Sequence, residues 1–268
     1  DARLDSPYLI GVLQGGVDTK GGFELTMTAR NPEIVTDALK RLLKSENPPH
    51  VSADLEASGQ LDLAELEDPW KLVESLKLKA RWSLKNFAAE DILVNLSDGD
   101  LDIELAPGTR QRTVRWDIDA KASKNRVKSI RARHLDIDTQ GHAILTPENL
   151  SDDWLGAITE LRTNLRLRID DLRGPDVNVD RAVISTILQV DKRKISVRNL
   201  DLSAAGVRSA FARSKAAKVQ GSAAVSLDRK LKPTRLKVDA TIATVETSIA
   251  GQSIGQLDAK VDVEGPAS

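Results

Sequence analysis

The amino-acid sequence predicts a mainly β protein whose strands follow one another as an antiparallel meander. The first observation is strict alternation between Leu161 and Ile169, where every second side chain is apolar and those between them are polar or charged. A period of two is the pattern of a strand with one apolar and one polar face. The second observation is that the same alternation returns after short polar turns, through Leu202 and on to Leu227. One-sided strands joined by short turns favour an antiparallel sheet.

The composition bounds the size and the kind of protein. The chain has 268 residues, of which 40% are hydrophobic but only 3% aromatic, so Val, Ile, Leu and Ala fill the apolar face. We expect one elongated β-rich segment over residues 1–268, with a weakly marked internal boundary near 145–157. The net charge of -1 argues against nucleic-acid binding, which needs a basic excess to neutralise phosphates. The absence of cysteine excludes disulfides, thiol catalysis and cysteine-bound metals.

The start of the chain and its apolar runs bear on membrane insertion. No run approaches the ~18 to 20 apolar residues that a membrane-spanning helix needs. Asp1 is followed at once by a polar, patterned sequence without the shape of a signal peptide. We therefore expect a mature form or a segment cut from a longer protein.

A few short amphipathic helices are predicted between the strands. The first covers Pro32 to Ser45, because Asn31 suits a helix cap, apolar residues follow at helical spacing and Pro48-Pro49 prevents continuation. We expect this helix either to plug one end of the β core or to touch a membrane or gate a cavity. Two more predicted helices start at Asp68-Pro69, with Trp70, Leu72, Val73 and Leu76, and at Thr146-Pro147-Glu148, with Trp154 and Ile158.

Two charged strand faces are predicted to be neighbours. The residues between the apolar positions of Leu76 to Leu84 are mostly basic, whereas those beside Leu101 to Leu105 are acidic. Opposite charges on facing strands suit cross-strand pairing and fix register, with only tenths of a kcal/mol from each pair. Turns are predicted at Gly15-Gly16 and Gly206, and a solvated turn closes a strand at Asp170-Asp171. Ile92 to Leu96 is predicted as a strand between or beside the two charged strands.

No arrangement of residues suggests catalysis or metal binding. His50, His134 and His142 are too scattered for a metal site. The serines lack a nearby histidine and the glycines of a hydrolase elbow. We therefore predict that the protein is not an enzyme, has no catalytic residues and binds neither metal nor cofactor.

Three stretches carry a resemblance to a known family. They are ITELRTNLRLRIDDLRGPDVNVDRAVISTILQV (Ile158–Val190), ISVRNLDLSAAGV (Ile195–Val207) and VQGSAAVSLD (Val219–Asp228). Their strand spacing and glycine placement resemble the AsmA family, which includes AsmA-like and TamB-like periplasmic proteins. A helix-then-strand passage ending in VSADLEASGQLDL (Val51–Leu63) is similar to passages of the same proteins. The likeness covers most of the chain and is clearest in residues 158–228.

The resemblance implies a fold, a place and a function. Such proteins form an elongated, curled antiparallel sheet, a taco-like β-groove lined with apolar side chains. They are anchored in the inner membrane of Gram-negative-type bacteria and cross the periplasm. The resemblance therefore implies a phospholipid conduit between inner and outer membranes, with phospholipid or another acyl-chain ligand as partner. It also implies a membrane anchor outside this chain and an outer-membrane protein as a possible partner in envelope biogenesis.

Sixteen alternating apolar residues are the candidate lining of that groove. The alternatives are a packed sandwich that covers its own apolar face, and a structural or assembly module that docks outer-membrane proteins at its sheet edges. A glycan-active enzyme is disfavoured, since the chain has one Tyr and four Trp. The candidate lining residues are Leu76, Leu78, Ala80, Trp82, Leu84, Leu101, Ile103, Val114, Trp116, Ile118, Leu165, Leu167, Ile169, Val225, Val238 and Ala240.

Overall fold

The computed structural model describes residues 2–5, 10–30, 50–65, 72–89, 92–108, 111–146, 154–228 and 230–266. Nearly all of these residues lie in antiparallel β-strands. Contacts within the chain divide it into two units, Asp1–Lys128 and Ser129–Ser268. The sub-boundary predicted near 145–157 lies between two strands of the second unit and stays a prediction.

Among the described residues the first unit contains seven strands. Consecutive strands within this unit pair antiparallel, so the order in the sheet is the chain order. The strands are β1 (Ala2–Asp5), β2 (Ile10–Val17), β3 (Gly22–Arg30), β4 (His50–Leu61), β5 (Val73–Ala89), β6 (Ile92–Ala106) and β7 (Arg112–Val127).

In the part of the second unit that the structure describes there are seven strands and one short helix. Its strands also pair with their chain neighbours, which confirms the antiparallel meander. Among the described residues β14 pairs only with β13, so the sheet is open. The elements are β8 (Ile130–Leu145), α1 (Trp154–Ala157), β9 (Ile158–Arg173), β10 (Val177–Asp191), β11 (Lys194–Ser209), β12 (Ala212–Leu227), β13 (Pro233–Ile249) and β14 (Gln252–Pro266).

Glycines lie inside strands at several places where the sequence predicts turns. Gly15-Gly16 lies in β2 and Gly206 in β11, so these two turn predictions are wrong. Gly59 lies in β4. Ile92 to Leu96 and Leu101 to Leu105 form one strand, β6, because the chain continues through Gly99. Gly59 is needed since a Cβ there would collide with the carbonyl oxygen of Ser75 on β5. A glycine within a strand can mark such a close approach of backbones instead of a chain reversal.

The predicted strand end at Asp170-Asp171 is also wrong. Both residues lie in β9, and Asp171 adopts a left-handed backbone with φ 57. The alternation changes phase at this residue: Ile169 faces Ala182 before it, and Leu172 faces Val179 after it. A local kink of this kind re-aims the side chains while the ladder continues, so the acidic pair does not form a solvated turn.

The predicted helices have three different outcomes. Pro32 to Ser45 lies outside the described residues, as do Asp68-Pro69 and Trp70. Val73 and Leu76 belong to strand β5, so their assignment to a helix is wrong. Trp154 begins the short helix α1, but Ile158 opens β9.

Replacing Gly59 by alanine should destabilise the first unit. We expect the free energy of unfolding to fall by about 1 to 3 kcal/mol, because the new Cβ would press on the backbone of β5, which cannot rotate away. Urea denaturation followed by circular dichroism measures this change. Gly16→Ala is the matched control, since a Cβ at that position would meet nothing within 4 Å. Equal stability of the two variants would contradict the close approach of β4 and β5.

Candidate functional site

Cross-strand register gathers the ten candidate residues of the first unit on one side of the sheet. Leu78 on β5 faces Ile103 on β6, which in turn faces Trp116 on β7. Directly opposed residues of antiparallel strands point to the same side. We call this side the first apolar face. It comprises Leu76, Leu78, Ala80, Trp82 and Leu84 of β5, Leu101, Ile103 and Leu105 of β6, and Val114, Trp116, Ile118, Ala120 and Ala122 of β7.

The first apolar face extends beyond the ten candidates. Leu55 on β4 faces Ala80, and Met27 on β3 faces Leu55. The signal for these members was present in the sequence as alternation, but only the register shows that they share a face with β5. The additional members are Leu25, Met27 and Ala29 of β3 and Val51, Ala53, Leu55 and Ala57 of β4.

The second unit repeats this arrangement across all seven of its strands. Leu167 on β9 faces Ile137 on β8 and Ile184 on β10. The row then continues through Leu202, Val219, Ile242 and Ala259 on the following strands. We call the side that contains this row the second apolar face. It holds the remaining candidates, which are Leu165, Leu167 and Ile169 of β9, Val225 of β12, and Val238 and Ala240 of β13.

All sixteen candidate residues are half-buried: none is fully buried and none is fully exposed to solvent. A packed sandwich would bury such residues almost completely, because a second sheet would lie about 10 Å away across the same face. Among the described residues, few hydrophobic side chains are fully buried. They are Ala29, Leu105, Ala143, Leu155, Ala157, Val179 and Val190.

Exposure of the second apolar face is greatest at its last strand. Val261 and Val263 on β14 remain 36% and 49% exposed. Residues 252–264 are all exposed, because β14 has a strand neighbour on one side only among the described residues. The apolar surface therefore reaches an open sheet edge with free backbone groups.

Polar atoms on the second apolar face are satisfied within the protein. The Thr139 and Thr163 hydroxyls lie 2.9 Å apart and share a hydrogen bond. The Thr186 hydroxyl donates to the carbonyl oxygen of Arg198 at 3.0 Å. Satisfied hydroxyls need no water, so these threonines leave the face compatible with an apolar ligand.

The opposite side of the first unit carries the predicted charge pairs. Lys77, Lys79 and Arg81 on β5 directly face Glu104, Asp102 and Asp100 on β6, which confirms that prediction. The three ion pairs measure 3.9, 4.0 and 2.8 Å. The hydrogen bond from Arg81 to Asp100 raises the pKa of the guanidinium. These pairs are exposed and each contributes little to stability, but together they favour this register over its alternatives.

The opposite side of the second unit centres on Asp170. Its carboxylate accepts hydrogen bonds from Arg168 on the same strand and from Arg181 on β10, at 2.9 and 3.0 Å. Burial raises the pKa of Asp170, but the two arginine hydrogen bonds outweigh it and the pKa is lowered overall. This carboxylate ties β9 to β10 on the charged side, behind the second apolar face.

The described residues offer no group of three or more His, Asp and Glu side chains that could hold a metal ion. His50 lies at the start of β4, whereas His134 and His142 lie in β8. His142 Nε2 is 3.6 Å from the carboxylate of Glu160. Within the same residues, no helix has the length and apolar character required to cross a bilayer.

Replacing Asp170 by asparagine should lower the free energy of unfolding by about 1 kcal/mol at neutral pH, because a charge-assisted hydrogen-bond pair is lost. A lowered folded-state pKa stabilises the protein above the unfolded pKa of about 3.9, and this stability is lost as pH falls through the folded pKa. The variant should therefore lose less stability than the wild type between neutral and acid pH. Urea denaturation at several pH values measures this, and parallel curves for both proteins would contradict it.

Comparison with known proteins finds no matching family model, no matching curated protein and no matching solved structure. The resemblance to the AsmA family stays a prediction. A functional proposal has to be built on the chemistry of the two apolar faces.

Proposed function

We propose that this protein is a periplasmic segment of an AsmA-like protein, and that its apolar faces hold phospholipid acyl chains on their way between the inner and outer membranes. The observation that carries the proposal is the pair of in-register apolar faces. Each continues from strand to strand and is left half-buried by the described residues. Apolar ligand would supply the second layer that such a face requires.

The energetics favour a continuous apolar surface over scattered sites. Burial of each methylene group contributes ~0.8 kcal/mol, so an acyl chain of ~16 carbons gains on the order of 10 kcal/mol. A lipid that left the surface in mid-route would lose this free energy. Rows that continue across the strands, such as that from Ile137 to Ala259, let the tail stay in contact as it moves.

The side chains of the faces suit mobile tails. Most are aliphatic, and small residues such as Ala80, Ala120 and Ala240 leave space above the sheet. Aliphatic side chains bind acyl chains without directional contacts, so a tail can slide along them. The right-handed twist of sheets and the kinks at Asp171 and Gly206 favour curling of the strands into a groove around the tails.

A second candidate function follows from the exposed edge at β14. An exposed strand edge can take up a further strand through backbone hydrogen bonds. The protein would then act as an assembly module for an outer-membrane protein. We rank this function second, because it uses one strand edge and leaves both apolar faces without a role.

Replacing Leu167 by aspartate should reduce the lipid that copurifies with the protein by at least several-fold. The new carboxylate would lie in the row between Ile137 and Ile184, where an acyl chain would have to desolvate it. Native mass spectrometry and solvent extraction after purification from a bacterial host measure the bound phospholipid.

Asn164→Asp is the matched control for this variant. Asn164 lies three residues earlier on β9 with its side chain on the opposite, exposed side, so the same new charge should leave the lipid content unchanged. Circular dichroism verifies that both variants are folded. A wild-type protein that carries no lipid and rejects added phospholipid would contradict the proposed function and favour the packed sandwich or the edge-docking module.

A further inference from the structure

Arg112 is a charged residue on the first apolar face. It is the first residue of β7, and alternation along that strand places it on the same side as Val114 and Trp116. Only 7% of Arg112 is exposed. The neighbouring row consists of Leu76, Leu105 and Val114, and Leu105 is likewise 7% exposed. A guanidinium is therefore buried at the end of an otherwise apolar surface.

The described residues compensate this charge only in part. Nη1 of Arg112 donates to the carbonyl oxygen of Val73 at the start of β5, so the side chain reaches across the end of β6. Its Nε is buried without a hydrogen-bond partner. No described carboxylate forms an ion pair with it, Glu74 beside Val73 included. A buried cation without an anionic partner is strongly unfavourable, so an anion would stabilise this site.

Two other arginines of this sheet behave differently. Arg115, three residues further along β7, lies on the charged side and is 3.8 Å from Glu104. Arg81 on β5 is 2.8 Å from Asp100. Both are largely exposed and have a carboxylate partner. Of these three arginines, the one without a described carboxylate partner is the one that shares a face with the apolar rows.

We propose that Arg112 binds the phosphate group of a phospholipid whose acyl chains lie on the first apolar face. This inference rests on the proposed function and adds its headgroup contact. The guanidinium fork matches two phosphate oxygens. Free phosphate would lose its hydration beside Leu105 and Val114 without gaining any apolar contact. A phospholipid also buries its tails on Val114, Trp116 and the rows that follow, so it is the favoured source of the anion.

Binding of a matched pair of lipids tests the proposal. Short-chain phosphatidylglycerol and the diacylglycerol with the same chains differ in the phosphate headgroup but not in their tails. Binding to the full chain is followed by tryptophan fluorescence, since Trp82 and Trp116 lie on the face, and by native mass spectrometry. We expect the wild type to prefer the phosphate-bearing lipid by roughly tenfold, the effect of one charge-assisted contact.

Arg112→Met should abolish this preference, whereas the matched control Arg115→Met should keep it. Without ligand, Arg112→Met should unfold at the same or a higher urea concentration than the wild type, because an apolar side chain of similar length replaces an uncompensated buried charge. A merely structural arginine would instead lose stability on substitution. If Arg112→Met does not fold, Arg112→Lys is the variant that tests the proposal. Lysine keeps the positive charge but lacks the two-pronged guanidinium, so this variant should show a weaker preference for the phosphate-bearing lipid.

Three results would overturn the assignment. They are an absent preference in the wild type, an unchanged preference in the folded Arg112 variant, and competition by inorganic phosphate at the concentration at which the lipid binds. The last would identify a free-phosphate site. In each of these cases, a protein that still binds both lipids would contradict the headgroup contact but not the proposed function. A wild type that binds neither lipid would instead contradict the proposed function itself.

Discussion

The structure depends on register between neighbouring strands. Side chains alternate between the two sides of a sheet, so a shift of one residue in any strand would bring its charged set onto the apolar side. The rows Leu78–Ile103–Trp116 and Leu167–Ile184–Leu202 exist because, within each row, neighbouring strands pair one apolar residue directly with another. The ion pairs on the opposite side are individually weak, but each opposes such a shift. The charged side thereby preserves the apolar side.

Within each unit the described residues place no second layer over the apolar face, and this bears on the proposed function. Soluble folds cover such a surface with a second sheet or with helices. The described residues leave the rows of both faces half-buried, and exposure of the second apolar face is greatest at its edge strand β14. Uncovered aliphatic surface of this extent is unfavourable in water, and contiguous patches usually mark binding sites. An acyl-chain ligand fits because it offers apolar area without requiring specific contacts from the protein.

The sequence predicted which stretches form strands better than it predicted where those strands begin and end. Alternation identified the meander and the charge pairing of β5 with β6, since both follow from side-chain period and charge alone. Gly206 was wrongly predicted as a turn because a glycine with a left-handed φ inside a strand has the same local signature as a glycine in a turn. Asp170 looked like part of a solvated turn, since its partner Arg181 lies on the next strand. Candidate lining residues were found on strands with clean alternation, whereas Ile184 was placed on the second apolar face only through register.

Arg112 shows what alternation cannot reveal. In sequence it is one of several arginines, and the polar turn before β7 makes it look like a solvated strand start. Its position is unusual only when three facts are combined: it has the phase of Val114, it is buried, and its Nε has no partner. Thr139 and Thr163 on the second apolar face satisfy each other, so the fold can neutralise polar atoms on such a surface. The proposed headgroup contact rests on two observations at Arg112, the unmet hydrogen bond of its Nε and the lack of a carboxylate partner among the described residues.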